Sequence, residues 1–155
     1  MIVFIIIAAV VLDQAAKYLI VSRMTLGQSY PVIQNILHFT YIEKNTGMVF
    51  GIFQGGNFII LAIAIILTGV IIWTMLKGKE RMLKISLALV AGGAIGNIID
   101  RIFRGGVVDF IDARFVDFYV FNVADCFVCI GAGIMILWLL VSKNGEGNSK
   151  GKNEG

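Results

Sequence analysis

Four long runs of apolar residues dominate the chain, and each is long enough to cross a membrane as a helix. They cover about residues 2–21, 57–76, 83–103 and 122–141, and a membrane-spanning helix needs about 20 mostly apolar residues. The first run lacks a basic segment before it and is too long for a signal peptide, so we expect a retained helix. The pattern predicts an α-helical integral membrane protein with four transmembrane helices.

The segments between the runs predict a small β-sheet. Residues 37–41 alternate between apolar and polar side chains, as a half-buried strand does, and residues 45–47, Asn-Thr-Gly, are typical of a turn. Residues 107–112 and 118–121 predict further short strands on the same side of the membrane. We therefore expect a small extracytoplasmic β-sheet region on the outer membrane surface.

Composition and charge support this fold and orient it. The 155 residues are 58% hydrophobic, with one proline and a net charge of +3, which leaves too little polar surface for a soluble domain. Basic residues concentrate between the second and third runs and in the tail: Lys77, Lys79, Arg81, Lys84, Lys143, Lys150 and Lys152. The positive-inside rule then places both termini in the cytoplasm. The charge reflects topology and predicts no nucleic-acid partner.

The domain organisation follows from the same pattern. Residues 1–143 are expected to form a single membrane-embedded domain. Residues 144–155 are rich in Gly, Lys, Asn and Glu, which predicts a disordered cytoplasmic tail.

Carboxylates interrupt three of the four runs, always near the predicted outer end. An ionisable residue within a span costs roughly 2.5–3.5 kcal/mol, so each requires a function or a firm partner. Asp13 and Lys17 are four residues apart on one helix face, where an ion pair alone would explain them. Asn97, Asp100 and Arg101 can also line one face, and interhelical hydrogen bonding would explain them equally well.

Glycines in the third run have a structural interpretation. Gly92 and Gly96 form a Gly-x-x-x-Gly pattern, which is typical of close packing between membrane helices.

Asp109 and Asp125 are the strongest candidates for chemistry. Asp109 lies in an apolar stretch without a basic neighbour, and Asp125 begins the fourth run. Two carboxyl groups held together away from water do not both ionise easily, so one keeps a proton while the other acts as a base, as in aspartic proteases. The alternative is that Asp125 is only an N-terminal helix charge and Asp109 only a loop carboxylate.

Other catalytic chemistries lack candidates. His38 is the only histidine and no metal-binding spacing occurs, so zinc hydrolysis is excluded. Cys126 and Cys129 have no second pair and are interpreted as packing residues. A Ser–Lys dyad fails because Ser86, the only serine within a later run, lies at the opposite end from Lys17.

Five motifs in this order closely resemble those of the bacterial lipoprotein signal peptidase (signal peptidase II) family. They are Asp13-Gln14-x-x-Lys17, Asn45-Thr46-Gly47-x-x-Phe50-Gly51, Gly92-Gly93-Ala94-Ile95-Gly96-Asn97-x-x-Asp100-Arg101, Val107-Val108-Asp109-Phe110 and Phe121-Asn122-x-Ala124-Asp125. The resemblance implies an aspartic membrane endopeptidase that cuts diacylglyceryl-modified prolipoproteins before the lipidated cysteine. The enzyme would work at the outer face of the cytoplasmic membrane.

The resemblance also implies roles for individual residues. Asp109 and Asp125 would be the catalytic pair. Other motif residues would support the pair or contact the substrate and the antibiotic globomycin: Asp13, Lys17, Asn45, Gly92, Asn97, Asp100, Arg101, Asn122 and Ala124. No metal or cofactor is implied, the partners are prolipoprotein substrates and membrane lipid, and we expect a monomer.

The chain departs from the family pattern at a few positions. Met48 and Val49 stand where small alanines are common, and Cys126 stands where serine is frequent. The first change is expected to reshape the substrate groove, and the second to alter hydrogen bonding around the site. No residue assigned to chemistry is lost.

Two other function classes make different predictions. A proton-coupled transporter or channel would place polar residues through the full depth of the bilayer, whereas the cytoplasmic halves of the four runs are almost wholly apolar. A noncatalytic assembly factor would tolerate asparagine at Asp109 and Asp125.

Overall fold

The computed structural model describes residues 1–42, 56–115 and 119–150. Over these ranges the chain forms four long helices and three short strands. They are α1 (Ile2–Arg23), β1 (Ser29–Ile33), β2 (Leu37–Thr40), α2 (Gly56–Lys77), α3 (Arg81–Arg104), β3 (Ile111–Ala113) and α4 (Val123–Lys150). The predicted turn at residues 45–47 lies outside the described residues.

Each of the four helices contains a segment long and apolar enough to cross a membrane. These segments are Ile2–Arg23, Phe58–Lys77, Arg81–Arg104 and Val123–Ser142. Large apolar side chains point outward from them, such as Phe4 and Phe58, which are 73% and 79% exposed. Surfaces of this kind are stable in lipid and not in water. The predicted fold class, a four-helix membrane protein with a small sheet, is confirmed.

Helix α3 is the centre of the bundle and packs against α1, α2 and α4. Its contact faces are lined by small residues, which let helix backbones approach closely in a membrane. A Cβ atom added at Gly92 would lie 2.7 Å from Cβ of Ala9, and one at Gly93 would collide with the carbonyl oxygen of Ala124. The predicted packing role of this glycine stretch is therefore confirmed.

The three strands form one antiparallel sheet in the order β1-β2-β3. The strand predicted at residues 37–41 is β2. The strand β1 was not predicted, because its sequence, Ser-Tyr-Pro-Val-Ile, contains a proline and does not alternate between apolar and polar residues. In the structure all five positions are exposed. It is an edge strand in this sheet, a position that tolerates proline.

The strand expected at residues 107–112 begins later, at Ile111, so this prediction was only partly right. Residues 107–110 are buried. The Val108 N–H donates to the Asp100 carboxylate at 3.2 Å and not to the backbone of a neighbouring strand. Ile111 also pairs with Phe121 in an isolated bridge, which ties the sheet to the start of α4.

A small apolar cluster fastens the sheet to the helices. Ile20, Val108 and Phe110 are buried together, and the Phe110 ring meets that of Phe39 edge-on, with centroids 5.8 Å apart. Asp109 lies between two of these buried residues, so its backbone is held by apolar packing on both sides.

A polar network crosses the sheet at Asp112. Its carboxylate accepts hydrogen bonds from Thr40 Oγ1 at 2.8 Å and Arg114 Nε at 2.9 Å. Burial raises the pKa of the Asp112 carboxyl group, but these hydrogen bonds and the Arg114 charge outweigh it, so the pKa lies below its ordinary value. The carboxylate is therefore ionised at neutral pH and links β2 to β3.

Helix α4 continues beyond the membrane-spanning segment to Lys150. The helix thus extends into residues 144–150, for which the composition predicted disorder. Propagating an existing helix costs much less than nucleating one, which accounts for the extension. Residues 151–155 lie outside the described residues, and the single-domain organisation stays a prediction.

Two glycines of α4 provide a test of the packing. A Cβ atom at Gly131 would lie 2.6 Å from the Ser86 carbonyl oxygen, whereas one at Gly133 would have no heavy atom within 4 Å. We expect Gly131→Ala to lower the free energy of unfolding by roughly 1–3 kcal/mol through overpacking. Gly133→Ala should leave it unchanged or slightly higher, because alanine favours a helix. Unfolding in detergent, followed by circular dichroism, distinguishes the two; equal effects would contradict this packing.

Candidate active site

The polar motifs converge at the end of the bundle that carries the sheet. The second half of α1, the C-terminal half of α3, residues 105–110 and the first turn of α4 meet there. The predicted residues brought together are Asp13, Lys17, Asn97, Asp100, Arg101, Asp109, Asn122, Ala124 and Asp125. Gly92 lies four residues before Gly96 on α3 and packs against Ile6 and Ala9 of α1. Asn45, the remaining predicted site residue, lies outside the described residues.

A fully buried lysine lies at the base of this site. Lys17 Nζ is 2.9 Å from Asp13 Oδ2 and 2.8 Å from Asp100 Oδ2, and all three side chains have no exposed surface. The ion pair predicted between Asp13 and Lys17 is present, but Asp100 of α3 is a second partner. Buried charges are tolerated only when they are paired and hydrogen-bonded, and this arrangement binds α1 firmly to α3.

Asp13 also joins α1 to α4. Its Oδ1 accepts the backbone N–H of Ala124 at 2.9 Å. The first N–H groups of a helix have no partner within the helix, and a carboxylate is a favourable acceptor there. Ala124 thus contributes through its backbone, and its side chain, which has no exposed surface, allows the approach.

Gln14 is a site residue to which the sequence analysis gave no role. Its Nε2 lies 3.2 Å from Asp13 Oδ2, 3.1 Å from the Gly96 carbonyl oxygen and 3.2 Å from Asp100 Oδ1. It therefore bridges the two buried carboxylates beside the lysine. Its position next to Asp13 in the first motif could have indicated this role from the sequence.

Two asparagine amides hold the candidate catalytic aspartates. Asn97 Nδ2 donates to Asp125 Oδ1 at 2.9 Å, and Asn122 Nδ2 donates to Asp109 Oδ1 at 2.6 Å. Asn97 Oδ1 accepts from Lys17 Nζ at 2.9 Å and from Asn122 Nδ2 at 3.1 Å. Because an ammonium group can only donate, Lys17 fixes which end of the Asn97 amide faces Asp125.

Asp125 and Asn122 also cap the start of α4. The backbone N–H of Asn122 donates to Asp125 Oδ2, and the Asp125 N–H donates to Asn122 Oδ1, each at 3.1 Å. This reciprocal pattern is that of a capping box. Asp125 is therefore a helix N-terminal charge, as the structural interpretation predicted. The same contacts place Asp125 next to Asn122, whose side chain donates to Asp109.

Arg101 supplies positive charge near both aspartates. Its guanidinium group interacts electrostatically with Asp109 and Asp125, while its Nη1 donates to the Asn97 carbonyl oxygen at 3.3 Å. Its buried Nε has no hydrogen-bond partner within the described part of the chain. Two carboxyl groups and one guanidinium group are electrically balanced when the carboxyl groups share one proton.

Arg104 was also missed by the sequence analysis. The Asp100 carboxylate forms an ion pair with Arg104, Nη1 to Oδ1 at 2.6 Å, whereas Arg101 forms none with the described residues. The signal was present in the sequence, since Arg104 follows Asp100 by four positions, one helical turn.

A metal site and the two cysteines are the remaining alternatives. Among residues 1–42, 56–115 and 119–150, no cluster of three or more His, Cys, Asp or Glu side chains is placed to hold a metal ion. Cys126 and Cys129 are free thiols, half-buried and exposed respectively.

Comparison with known proteins adds to this geometry. A family profile described as signal peptidase (SPase) II matches residues 5–141. A lipoprotein signal peptidase of Shouchella clausii is 46% identical, covering 90% of this chain and 93% of the relative. One from Brevibacillus brevis is 44% identical, covering 84% and 90%.

Solved structures agree with these relatives. A bacterial membrane enzyme solved by the in meso method at 2.3 Å resolution has a TM-score of 0.84 and 33% identity, covering 93% of this chain and 90% of that one. A second, at 1.9 Å resolution, has the same TM-score and 34% identity, covering 90% and 92%.

The buried lysine generates a stability prediction. Lys17→Met removes the cation between two buried carboxylates, and we expect it to lower the free energy of unfolding by roughly 3–5 kcal/mol. Lys79→Met is the matched control, because Lys79 is exposed and its replacement should leave the unfolding midpoint unchanged. Thermal unfolding of both variants in the same detergent makes the comparison, and equal midpoints would contradict a structural role for Lys17.

Proposed function

Because the chain belongs to the signal peptidase II family, we propose that Asp109 and Asp125 are the carboxyl groups that carry out its reaction. The protein is an aspartic endopeptidase that removes the signal peptide from prolipoproteins. The observation that supports the residue assignment is that Asn122 hydrogen-bonds both aspartates. These bonds keep the two carboxyl groups together at the end of the bundle that carries the sheet.

The charges of the site favour a pair that shares one proton. Asp109, Asp125 and Arg101 are balanced in that state, whereas full ionisation would place two negative charges beside one guanidinium group. The ionised aspartate takes a proton from water as the water oxygen attacks the peptide carbonyl carbon. The protonated aspartate donates to the carbonyl oxygen as it gains negative charge.

Collapse of the tetrahedral intermediate completes the reaction. The carbonyl re-forms, the C–N bond breaks, and the leaving amine takes a proton from the carboxyl group that had received one from water. One proton then remains on the pair, as at the start. The two asparagine amides support each step by holding the carboxyl groups in position, because hydrolysis depends on near-attack geometry.

The supporting residues divide by distance from the pair. Asn97, Arg101 and Asn122 act directly on the aspartates. Lys17 holds Asn97, and Asp13 and Asp100 hold Lys17 in the buried ion cluster. Gly92 and Ala124 allow the helices to approach, and for Asn45 we propose the substrate contact that the family resemblance implies.

The distribution of basic residues supports an orientation in the bacterial cytoplasmic membrane. Arg81 Nη2 lies 3.4 Å from Met1 Sδ, so the N-terminus and the basic connection between α2 and α3 share one end of the bundle. By the positive-inside rule this end is cytoplasmic. Lys77 lies over the Trp73 ring at 4.2 Å, a pairing suited to an interface. The aspartates lie at the opposite, extracytoplasmic end.

This placement suits a substrate whose signal helix lies in the bilayer. The substrate we propose is a diacylglyceryl-modified prolipoprotein, with its acyl chains in surrounding lipid and its cleavage site before the lipidated cysteine. A monomer is sufficient, because one chain supplies both aspartates.

A transporter or channel is disfavoured by the opposite half of the bundle. The buried polar residues described there, Thr68 and Ser86, donate to carbonyl oxygens of their own helices at 2.7 and 2.8 Å. They therefore offer no chain of groups across the membrane.

The residue assignment predicts that Asp109→Asn and Asp125→Asn each abolish cleavage. Each change removes a proton-transfer group with little change in volume, and a lost general acid or base costs roughly 10²–10⁴ in rate. Asp112→Asn is the matched control, because Asp112 lies in the sheet network. The assay measures signal-peptide release from a lipidated precursor by the purified protein. Near-wild-type turnover in either variant, in folded protein, would overturn the assignment.

The shared proton predicts a bell-shaped dependence of activity on pH. Activity should fall at low pH, where both carboxyl groups are protonated and no base remains, and at high pH, where neither can donate to the carbonyl oxygen. The measurement is the initial rate at saturating precursor, with folding checked at each pH. A flat profile from acid to strongly alkaline conditions would contradict a shared proton.

A further inference from the structure

We propose that Arg104 is a positioning residue of this enzyme, which holds Asp100 ionised and thereby fixes the backbone that carries Asp109. The proposal rests on the assignment of Asp109 and Asp125 as the catalytic pair. It adds a residue that lies outside the five sequence motifs.

Asp100 is the point through which Arg104 acts. Its Oδ2 accepts from Lys17 Nζ at 2.8 Å and from the Val108 backbone N–H at 3.2 Å, while its Oδ1 lies 2.6 Å from Arg104 Nη1. Both oxygens are thus held by positive or donor groups. The Asp100 side chain has no exposed surface, so these protein groups replace the water that would otherwise solvate it.

The charge balance requires Arg104. The buried cluster holds two carboxylates, Asp13 and Asp100, but only one buried cation, Lys17. Arg104 supplies the second positive charge, and its side chain is 27% exposed. Without it, the two carboxylates face Lys17 and only a share of Arg101, whose guanidinium group also interacts with Asp109 and Asp125. A buried unbalanced charge favours uptake of a proton.

The contact between Asp100 and Val108 carries the effect to the active site. Val108 precedes Asp109 in the chain and has no exposed surface. Its N–H keeps this hydrogen bond only while Asp100 Oδ2 points toward it. Protonation or rotation of Asp100 would loosen this bond. Catalytic geometry must be held to about 0.5 Å, so a shift of the Asp109 backbone would be expressed as a lower rate.

The position of Arg104 in α3 explains why it fits this role. It occupies the last turn of the helix, where a cation is favoured by the helix dipole. Gly105 follows with φ of 75° and ends the helix, which turns the chain toward Val108. The same residue therefore stabilises the helix end and balances the carboxylate that holds the next segment.

The test compares Arg104→Gln with Arg104→Lys in the full-length protein. We expect Arg104→Gln to lower kcat by roughly 2-fold to 30-fold, the range for a residue that acts through a packed network, with KM nearly unchanged. The pH profile of its kcat should move to higher pH, because loss of a nearby positive charge favours protonated carboxyl groups. Arg104→Lys keeps the charge and should restore both the rate and the profile.

Controls separate this role from folding and from general charge loss. Arg23→Gln removes an exposed arginine at the end of α1 that has no ion pair with the described residues, and its pH profile should match that of the wild type. If Arg104→Gln does not fold, Arg104→Met takes its place, because it keeps the aliphatic stem. Thermal unfolding in detergent is measured for every variant.

The outcomes are distinct. A lower kcat with a shifted profile in folded Arg104→Gln, restored by lysine, supports the proposal. An unchanged profile overturns it, whether or not the rate falls, because a merely structural role would not move the profile. Failure of lysine to restore activity also overturns it. Full activity of Asp109→Asn would instead refute the catalytic pair itself, so the two failures are distinguishable.

Discussion

The interaction on which the rest of the structure depends is the placement of the Lys17 ammonium group among Asp13, Asp100 and Asn97. An ionised lysine in a membrane span is stable only when partners replace its lost water. Here three oxygen atoms do so at 2.8 to 2.9 Å, one from α1 and two from α3. Asp13 in turn accepts an N–H at the start of α4. One cation therefore sets the spacing of three helices. The glycines of α3 allow the helices to come this close.

The same ammonium group orients the Asn97 amide group. Because Lys17 occupies the carbonyl end of the Asn97 amide, the NH₂ end must face Asp125. The Asn122 NH₂ group likewise donates to Asp109, and it also donates to the side-chain carbonyl oxygen of Asn97, which links the two amides. Helix packing and the orientation of the two carboxyl groups are consequently not separable at this end of the bundle. The residues that stabilise the helices are those that orient the two carboxyl groups.

The sequence predicted the membrane spans, the convergence of the motifs and the β2 strand, because length, apolar content and alternation are local properties. It did not predict which basic residue pairs with Asp100. Arg101 and Arg104 are both close along α3, and the choice depends on how the helix is rotated against α1, which is a tertiary property. The late start of β3 has a similar cause, since Val108 donates to a side chain eight positions earlier. The strand β1, exposed throughout, forms only because β2 offers it an edge.

The location of the proposed catalytic pair at a helix end follows from backbone chemistry. Within a membrane every N–H along a helix is used by the helix itself, and only the first turn has N–H groups free to bind other acceptors. Asp125 in this first turn accepts one such N–H from Asn122, and Asp13 accepts another from Ala124. A carboxyl group held by such a donor is confined to the end of a span, and therefore to the boundary of the bilayer. An enzyme with this construction is suited to a peptide bond that emerges from the membrane beside its own transmembrane helix.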